Sequence, residues 1–308
     1  MTSVKNYLSL VKFSHTIFAL PFAIIGFFLS IFKSNFYNGQ SNLNITVGWE
    51  RPVGEMIFKF FLVLICMITA RSAAMAFNRY LDRQWDAKNP RTAIREIPKG
   101  IITPQNALIF TIINCLIFIA ATWFINTICF ALSPVAILVV LGYSYTKRFT
   151  AFCHIILGIG LALAPIGAYL AVTGIFHWLP VLFSFAVLFW VSGFDIIYSL
   201  QDEDFDKVEN LFSIPTALGK KNALHVSELL HVLSALCVMA AGYFGTFGWL
   251  YWVGVAFFCG RWTAHILVNR THSRRGFSPT GCHPRAAYAL KLILPKPLRL
   301  KISSDDGS

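Results

Sequence analysis

Long apolar runs separated by short charged segments make up most of the chain. Runs near the length of a bilayer-crossing helix occupy 15–33, 55–78, 104–125, 127–146, 152–173, 178–199, 223–245 and 247–268. A helix needs about 20 apolar residues to cross the hydrocarbon core. The pattern therefore predicts an all-α fold, a polytopic membrane helix bundle with eight spans. Lys5 and Lys12 precede the first run and no small-residue cleavage site follows it, so it reads as a retained span rather than a signal peptide. After residue 268 the pattern changes. The segment 269–308 has eight Lys and Arg, and its apolar stretch 286–294 is too short to span. Two regions are expected, a transmembrane domain over 1–268 and a basic cytoplasmic tail over 269–308.

The charged segments orient the bundle. Alternate loops hold Arg79, Arg83, Lys88, Arg91, Arg95 and Lys99, then Lys147 and Arg148, then Lys207, Lys220 and Lys221. The intervening segments hold Lys33 and Arg51. The positive-inside rule puts the first set, and the N-terminus, in the cytoplasm. Composition agrees with a membrane protein. The chain is 56% hydrophobic and 13% charged, with a mean hydropathy of +0.62, where soluble domains carry roughly 25% charged residues. The net charge of +12 then reads as topogenic charge facing a lipid bilayer, and nucleic acid is not an expected partner. Seven cysteines form no C-x-x-C pair, so neither a zinc site nor a disulfide framework is expected.

Against this basic background the acids are concentrated. Of 14 Asp and Glu, nine (Asp82, Asp86, Glu96, Asp195, Asp202, Glu203, Asp204, Asp206 and Glu209) lie in two short segments. Asn78, Asp82 and Asp86 are spaced i, i+4, i+8. Asp195, Tyr198, Asp202 and Asp206 are spaced i, i+3, i+7, i+11. Both spacings line one face of a helix, and both helices are expected to project from the membrane on the cytoplasmic side with an acidic stripe. Mg²⁺ takes oxygen ligands and is commonly shared between one or two carboxylates and substrate phosphates. Two facing stripes suit Mg²⁺ bridged to a diphosphate, where the cation favours C–O cleavage by neutralising the leaving group. Arg71 lies two turns before Asn78, inside an apolar run, where an arginine is a functional candidate by default. Arg91, Arg95, Lys147 and Arg148 add cations suited to phosphate oxygens on the same side.

Taken together, these motifs resemble the UbiA superfamily of intramembrane prenyltransferases. Arg71 followed by N-x-x-x-D-x-x-x-D at Asn78, Asp82 and Asp86 is one element of the likeness. Arg91, Thr92, Arg95, Pro98 and Gly100 form the next, Tyr145, Lys147 and Arg148 a third, and Asp195, Tyr198, Asp202 and Asp206 the last. The likeness runs from about residue 10 to 268. Such proteins usually have nine spans. Within the family the chain is similar to the bacterial 4-hydroxybenzoate polyprenyltransferases, while its opening segment Lys12-Phe-Ser-His15-Thr-Ile-Phe-Ala-Leu-Pro21 resembles a branch with a naphthoate acceptor, and Ser14 and His15 stand where the ubiquinone branch has an acidic residue.

The resemblance implies a multi-pass protein of the bacterial inner membrane that transfers a polyprenyl group to a small aromatic acid. It implies Mg²⁺ on Asn78, Asp82 and Asp86 and on Asp195, Asp202 and Asp206. Arg71, Lys147 and Arg148, with Arg91 and Arg95, would contact diphosphate or the acceptor carboxylate, and Tyr198 would steady the allylic cation. The acceptor stays open between 4-hydroxybenzoate, for ubiquinone, and a dihydroxynaphthoate, for menaquinone. A polytopic membrane transporter is the alternative from a different class.

Overall fold

Each apolar run becomes a helix in the computed structural model, which describes residues 4–33 and 52–260. In chain order these are α1 (Val4–Leu10), α2 (Phe13–Lys33), α3 (Val53–Leu81), α4 (Arg83–Lys88), α5 (Pro104–Ile125), α6 (Thr127–Thr146), α7 (Cys153–Thr173), α8 (Trp178–Ser199), α9 (Glu203–Val208) and α10 (Ile214–Phe244). A shorter apolar helix, α11 (Trp249–Gly260), ends the described chain. No strand occurs among the described residues. Helices α3, α5, α6, α7, α8 and α10 are long and apolar enough to cross a membrane, and α2 carries the shorter apolar stretch Ala19–Ile31. The fold is a multi-pass membrane helix bundle. The expected tail over 269–308, the end of the last apolar run and the loop cation Arg51 lie outside the described residues.

Helices α5, α6 and α8 match the expected spans to the residue, and local chemistry explains two of these ends. Thr103 accepts a hydrogen bond from the Asn106 N–H at 3.2 Å, with Pro104 opening α5. The Asn126 side chain accepts from the Cys129 N–H at 2.8 Å and donates to the Leu170 carbonyl at 2.8 Å. One residue thus caps α6 and ties the α5–α6 corner to the end of α7. Helix α10 departs from the expectation of 223–245. It begins at Ile214, behind a capping box of Ser213 and Thr216, and is interrupted at Gly219, whose φ of 76° favours glycine.

The two acidic stripes also differ from the expectation of single projecting helices. Helix α3 stops at Leu81 and α8 at Ser199, and the short helices α4 and α9 follow. The i→i−4 bonds nevertheless continue across the first break, from Asp82 N–H to the Asn78 carbonyl (2.9 Å) and from Asp86 N–H to the Asp82 carbonyl (2.8 Å). The acids keep helical spacing although the helix is broken.

Helix α2 packs on α7, α3 on α5, α7 on α8 and α8 on α10. Small residues allow the close approaches. A Cβ on Gly26 would meet the Pro165 carbonyl oxygen at 2.0 Å, and one on Gly158 the Ser192 Oγ at 2.2 Å. Hydroxyls join α10 to α8, from Ser227 Oγ to the Gly193 carbonyl (2.7 Å) and from Ser234 Oγ to the Ala186 carbonyl (2.8 Å). Such small-residue contacts and interhelical hydrogen bonds are how helices associate in lipid. Phe61, Trp123 and Leu138 are exposed on the outside, as suits a lipid-facing surface. Near the start of α3, Lys59 is buried and pairs with Glu55 at 3.2 Å, so its charge is met within the helix.

Because the Gly26 contact is with backbone, α2 can accept a side chain there only by moving away from α7. Gly26→Val is expected to destabilise the protein by about 1–3 kcal/mol, read as a lower thermal midpoint in detergent. An unchanged midpoint would count against the α2–α7 packing.

Candidate active site

At the acid-bearing end of the bundle, the first stripe is held by cations from its own loop and from the α6–α7 connection. Asp82 accepts from Asn78 Nδ2 at 3.0 Å and lies 3.7 Å from Arg148 Nη2. The Arg148 guanidinium stacks over Trp85, 4.7 Å from its centroid, and donates to the Leu81 carbonyl. Asp86 is buried and pairs with Arg95 at 2.6 Å, while the Thr92 hydroxyl donates to its backbone carbonyl.

The second stripe is met from both sides. Asp206 is 0% exposed and pairs with Lys147 at 2.7 Å. Asp202 accepts from Arg91 Nε at 2.9 Å, from Arg91 Nη2 and from Asn89 Nδ2 at 3.2 Å. Arg91 Nη1 donates to the Tyr198 hydroxyl at 2.9 Å, and the guanidinium lies 5.3 Å from the Tyr198 ring centroid. Lys88 reaches Glu209 at 2.7 Å. The segment after α3 therefore grips the segment after α8, and the two stripes adjoin.

Asp195 stands apart from this network, on α8. Its Oδ2 lies 2.7 Å from Nδ1 of His154, a buried residue on α7. Arg71 lies within electrostatic reach of Asp195 and of Tyr143. Arg71 and Tyr143 both line an apolar cavity of about 360 Å³ between α2, α3, α5, α6 and α7. The α7 wall of this cavity runs from Leu157 to Ala171, about 21 Å of helix. Phe176 also lines it, and Tyr143 at its other end lies within electrostatic reach of Asp82 and Asp195, so the cavity is long and apolar with a charged mouth.

Among the described residues, no three His, Cys, Asp or Glu side chains converge on one point. The carboxylates take cation partners instead, as buried charges must. The structure brings Asn78, Asp82, Asp86, Arg95 and Arg148 together, and likewise Asp202, Asp206, Tyr198, Arg91 and Lys147. It sets Asp195 and Arg71 deeper. His154, Asn89, Trp85 and Tyr143 are neighbours of the site that sequence reading missed. A histidine two residues into an apolar helix was the one available signal. The contacts of the others depend on tertiary packing.

The crowding of acids affects proton affinity. Burial pushes the Asp82 carboxyl up to about 6, and the nearby Asp86 charge adds to this, while Lys147, Arg148 and Arg95 pull it back. Burial also raises Asp206, against the pull of Lys147. Asp86 and Asp206 each keep one carboxylate oxygen, Oδ2, buried without a hydrogen-bond partner. Such oxygens are hard donors with unused coordination capacity, the type that Mg²⁺ takes.

The chain is similar to proteins of known family and structure. The family model described as the UbiA prenyltransferase family matches residues 47–278. A 4-hydroxybenzoate octaprenyltransferase from Tolumonas auensis is 29% identical over 212 residues, 68% of this chain and 71% of that protein. One from Shewanella sp. (strain ANA-3) is 30% identical over 202 residues, 65% of this chain and 69% of that protein. Among solved structures, a UbiA homologue from Aeropyrum pernix superposes with a TM-score of 0.68 at 30% identity, covering 79% of this chain and 84% of that one. A UbiA homologue from Archaeoglobus fulgidus, bound to DMAPP and Mg²⁺, shares the fold with a TM-score of 0.66 at 18% identity, covering 94% of each chain.

Raised proton affinity in the folded state has a definite sign. Between pH 3.8, the ordinary value, and about 6, the folded protein binds the Asp82 proton more tightly than the unfolded chain, so stability falls as pH rises through that window. In metal-free protein, an infrared titration should show a carboxylate ionising near pH 6 that Asp82→Asn removes. A titration complete below pH 5 would contradict this.

Proposed function

The chain belongs to the UbiA prenyltransferase family, and from that premise we propose that it transfers a polyprenyl group from polyprenyl diphosphate to an aromatic acid of the 4-hydroxybenzoate type. The observation that carries this reading is the meeting of two acidic stripes and their cations at the charged mouth of a long apolar cavity. Membership of the family removes the transporter alternative. The positive-inside pattern supports a site on the cytoplasmic face of the bacterial inner membrane.

We assign the residues as follows. Asn78, Asp82 and Asp86 would hold one Mg²⁺, and Asp195, Asp202 and Asp206 another. The two unpartnered oxygens of Asp86 and Asp206 support that fit. When bound, the metal neutralises diphosphate charge and makes it a better leaving group. Lys147, Arg148, Arg91 and Arg95 bind the diphosphate oxygens, with Arg91 and Arg95 releasing Asp202 and Asp86 to do so. Charge-assisted bonds from guanidinium to phosphate suit that exchange.

The prenyl tail lies along the cavity beyond Arg71, between α7 and α6. The allylic C–O bond breaks, and diphosphate leaves with the electron pair. The apolar wall excludes water from the resulting cation, and Tyr198, with Arg91 bonded to its hydroxyl, borders it. An electron-rich ring carbon of the acceptor forms the new C–C bond. The released diphosphate takes the proton from that carbon, which restores aromaticity. Arg71 lies near enough to Asp195 and Tyr143 to orient the reacting ends at the top of the cavity.

Asp82→Ala and Asp195→Ala should each abolish transfer of labelled prenyl groups to 4-hydroxybenzoate or 1,4-dihydroxy-2-naphthoate, while the protein still inserts into membranes. EDTA should stop the reaction and Mg²⁺ restore it. Normal turnover in either variant, or indifference to EDTA, would refute the metal assignment. Ala136, on the cavity wall, tests the tail site. Ala136→Phe should lower turnover of long polyprenyl diphosphates at least several-fold while sparing the five-carbon donor. Equal loss for both donors would count against the cavity as the tail site.

A further inference from the structure

Arg79 carries a charge that the proposed reaction does not yet use. It is 3% exposed, makes no ion pair among the described residues, and leaves Nε and Nη1 buried without a hydrogen-bond partner. A buried, unpaired guanidinium is costly, and this one is held in place by well-packed neighbours. It lies one turn after Ala76, which packs with Leu10, Ile97, Ile102 and Ala107. Asp86 and Glu96 are near enough to act on Arg79 at longer range. Both are already engaged, Asp86 with Arg95 and Glu96 with the Ser9 hydroxyl.

A second cation without an ion-pair partner among the described residues approaches the same place. Leu10, 0% exposed, anchors the end of α1 against α3, and the Ser9–Glu96 bond ties it to the loop after α4. The chain then turns sharply at Lys12, which adopts a φ of 43°. Lys12 comes within electrostatic reach of Arg79, Arg91, Arg95 and Tyr198. Of these four cations, Arg91 and Arg95 are neutralised by Asp202 and Asp86, while Lys12 and Arg79 are not.

We propose that Arg79 and Lys12 form an oxyanion pocket, separate from the diphosphate site, that holds the carboxylate of the aromatic acceptor. This rests on the proposed prenyl transfer and specifies where its second substrate binds. A fixed guanidinium matches a carboxylate with two parallel hydrogen bonds. Ala76, one turn before Arg79, packs with Leu10, Ile97, Ile102 and Ala107, and that apolar wall suits a flat ring better than a second hydrated phosphate. Tyr198 is bonded to Arg91 and lies within electrostatic reach of Lys12, so an acceptor held beside Lys12 has its ring on the side of the second acidic stripe.

The test measures KM separately for each substrate with the full chain in detergent and saturating Mg²⁺. The variants are Arg79→Gln, Arg79→Lys and Lys12→Gln, and the acceptor probes are 4-hydroxybenzoate and 4-hydroxybenzamide. Arg79→Gln should raise KM for the acid at least about tenfold, as loss of a hydrogen bond to a charged group predicts, and leave KM for the diphosphate within about twofold. Arg79→Lys should recover part of the loss, and Lys12→Gln should show a smaller rise. The preference of the enzyme for acid over amide should shrink in each variant. If Arg79→Gln fails to fold, Arg79→Lys and the exposed Lys12→Gln decide by the same criteria. A rise confined to the diphosphate KM would assign the pocket to phosphate and overturn the proposal, as would unchanged values for both substrates. Wild-type protein that prenylates no aromatic acid would defeat the proposed function itself. Active wild type with unaffected variants defeats only this inference.

Discussion

The central constraint is that acids at the ends of apolar helices must find cations, and here they find them across the bundle. Arg91, in the loop after α4, holds Asp202 beyond α8 and the Tyr198 hydroxyl within it. Lys147 at the end of α6 holds the fully buried Asp206. Stranding a buried charge such as Asp206 typically costs about 3–5 kcal/mol, whereas the exposed side of Arg91 leaves its pair with Asp202 partly screened by solvent. Those pairs therefore fix how the ends of α3, α6 and α8 meet, and with that the shape of the charged mouth.

Below the mouth, no polar network of comparable density occurs among the described residues. Small residues, hydroxyl-to-carbonyl bonds and aromatic packing hold the helices together, and the cavity between α2, α3, α5, α6 and α7 stays apolar along the α7 wall. Arg71 and Tyr143 mark the boundary between the two regimes. A diphosphate with a long hydrocarbon tail is amphipathic in the same way, charged at one end and greasy along the rest. The match between molecule and site is of charge with charge and of chain with tunnel.

The spans were legible because a bilayer demands long apolar runs, and Thr103-Pro104 and Asn126 mark where such runs must stop. The acidic stripes were legible because acids are scarce here and spaced at helical intervals. The helix breaks after Leu81 and Ser199 were not legible, since the i, i+4 repeat runs through them. The early start of α10 at Ile214, with its interruption at Gly219, was missed because 214–222 carries Lys220 and Lys221 and reads as part of a charged loop. His154, Asn89 and Arg79 were missed for a shared reason. Each is significant through a partner, or the lack of one, that sequence spacing does not reveal.

Both stripes should act on one metal-bound diphosphate. Electron–nuclear double resonance of Mn²⁺ substituted for Mg²⁺, with an unreactive prenyl thiolodiphosphate, tests this most directly. A ³¹P coupling to Mn²⁺ is expected in the wild type and should be lost or strongly altered in Asp82→Ala and, separately, in Asp202→Ala. An undiminished coupling in both variants would contradict it.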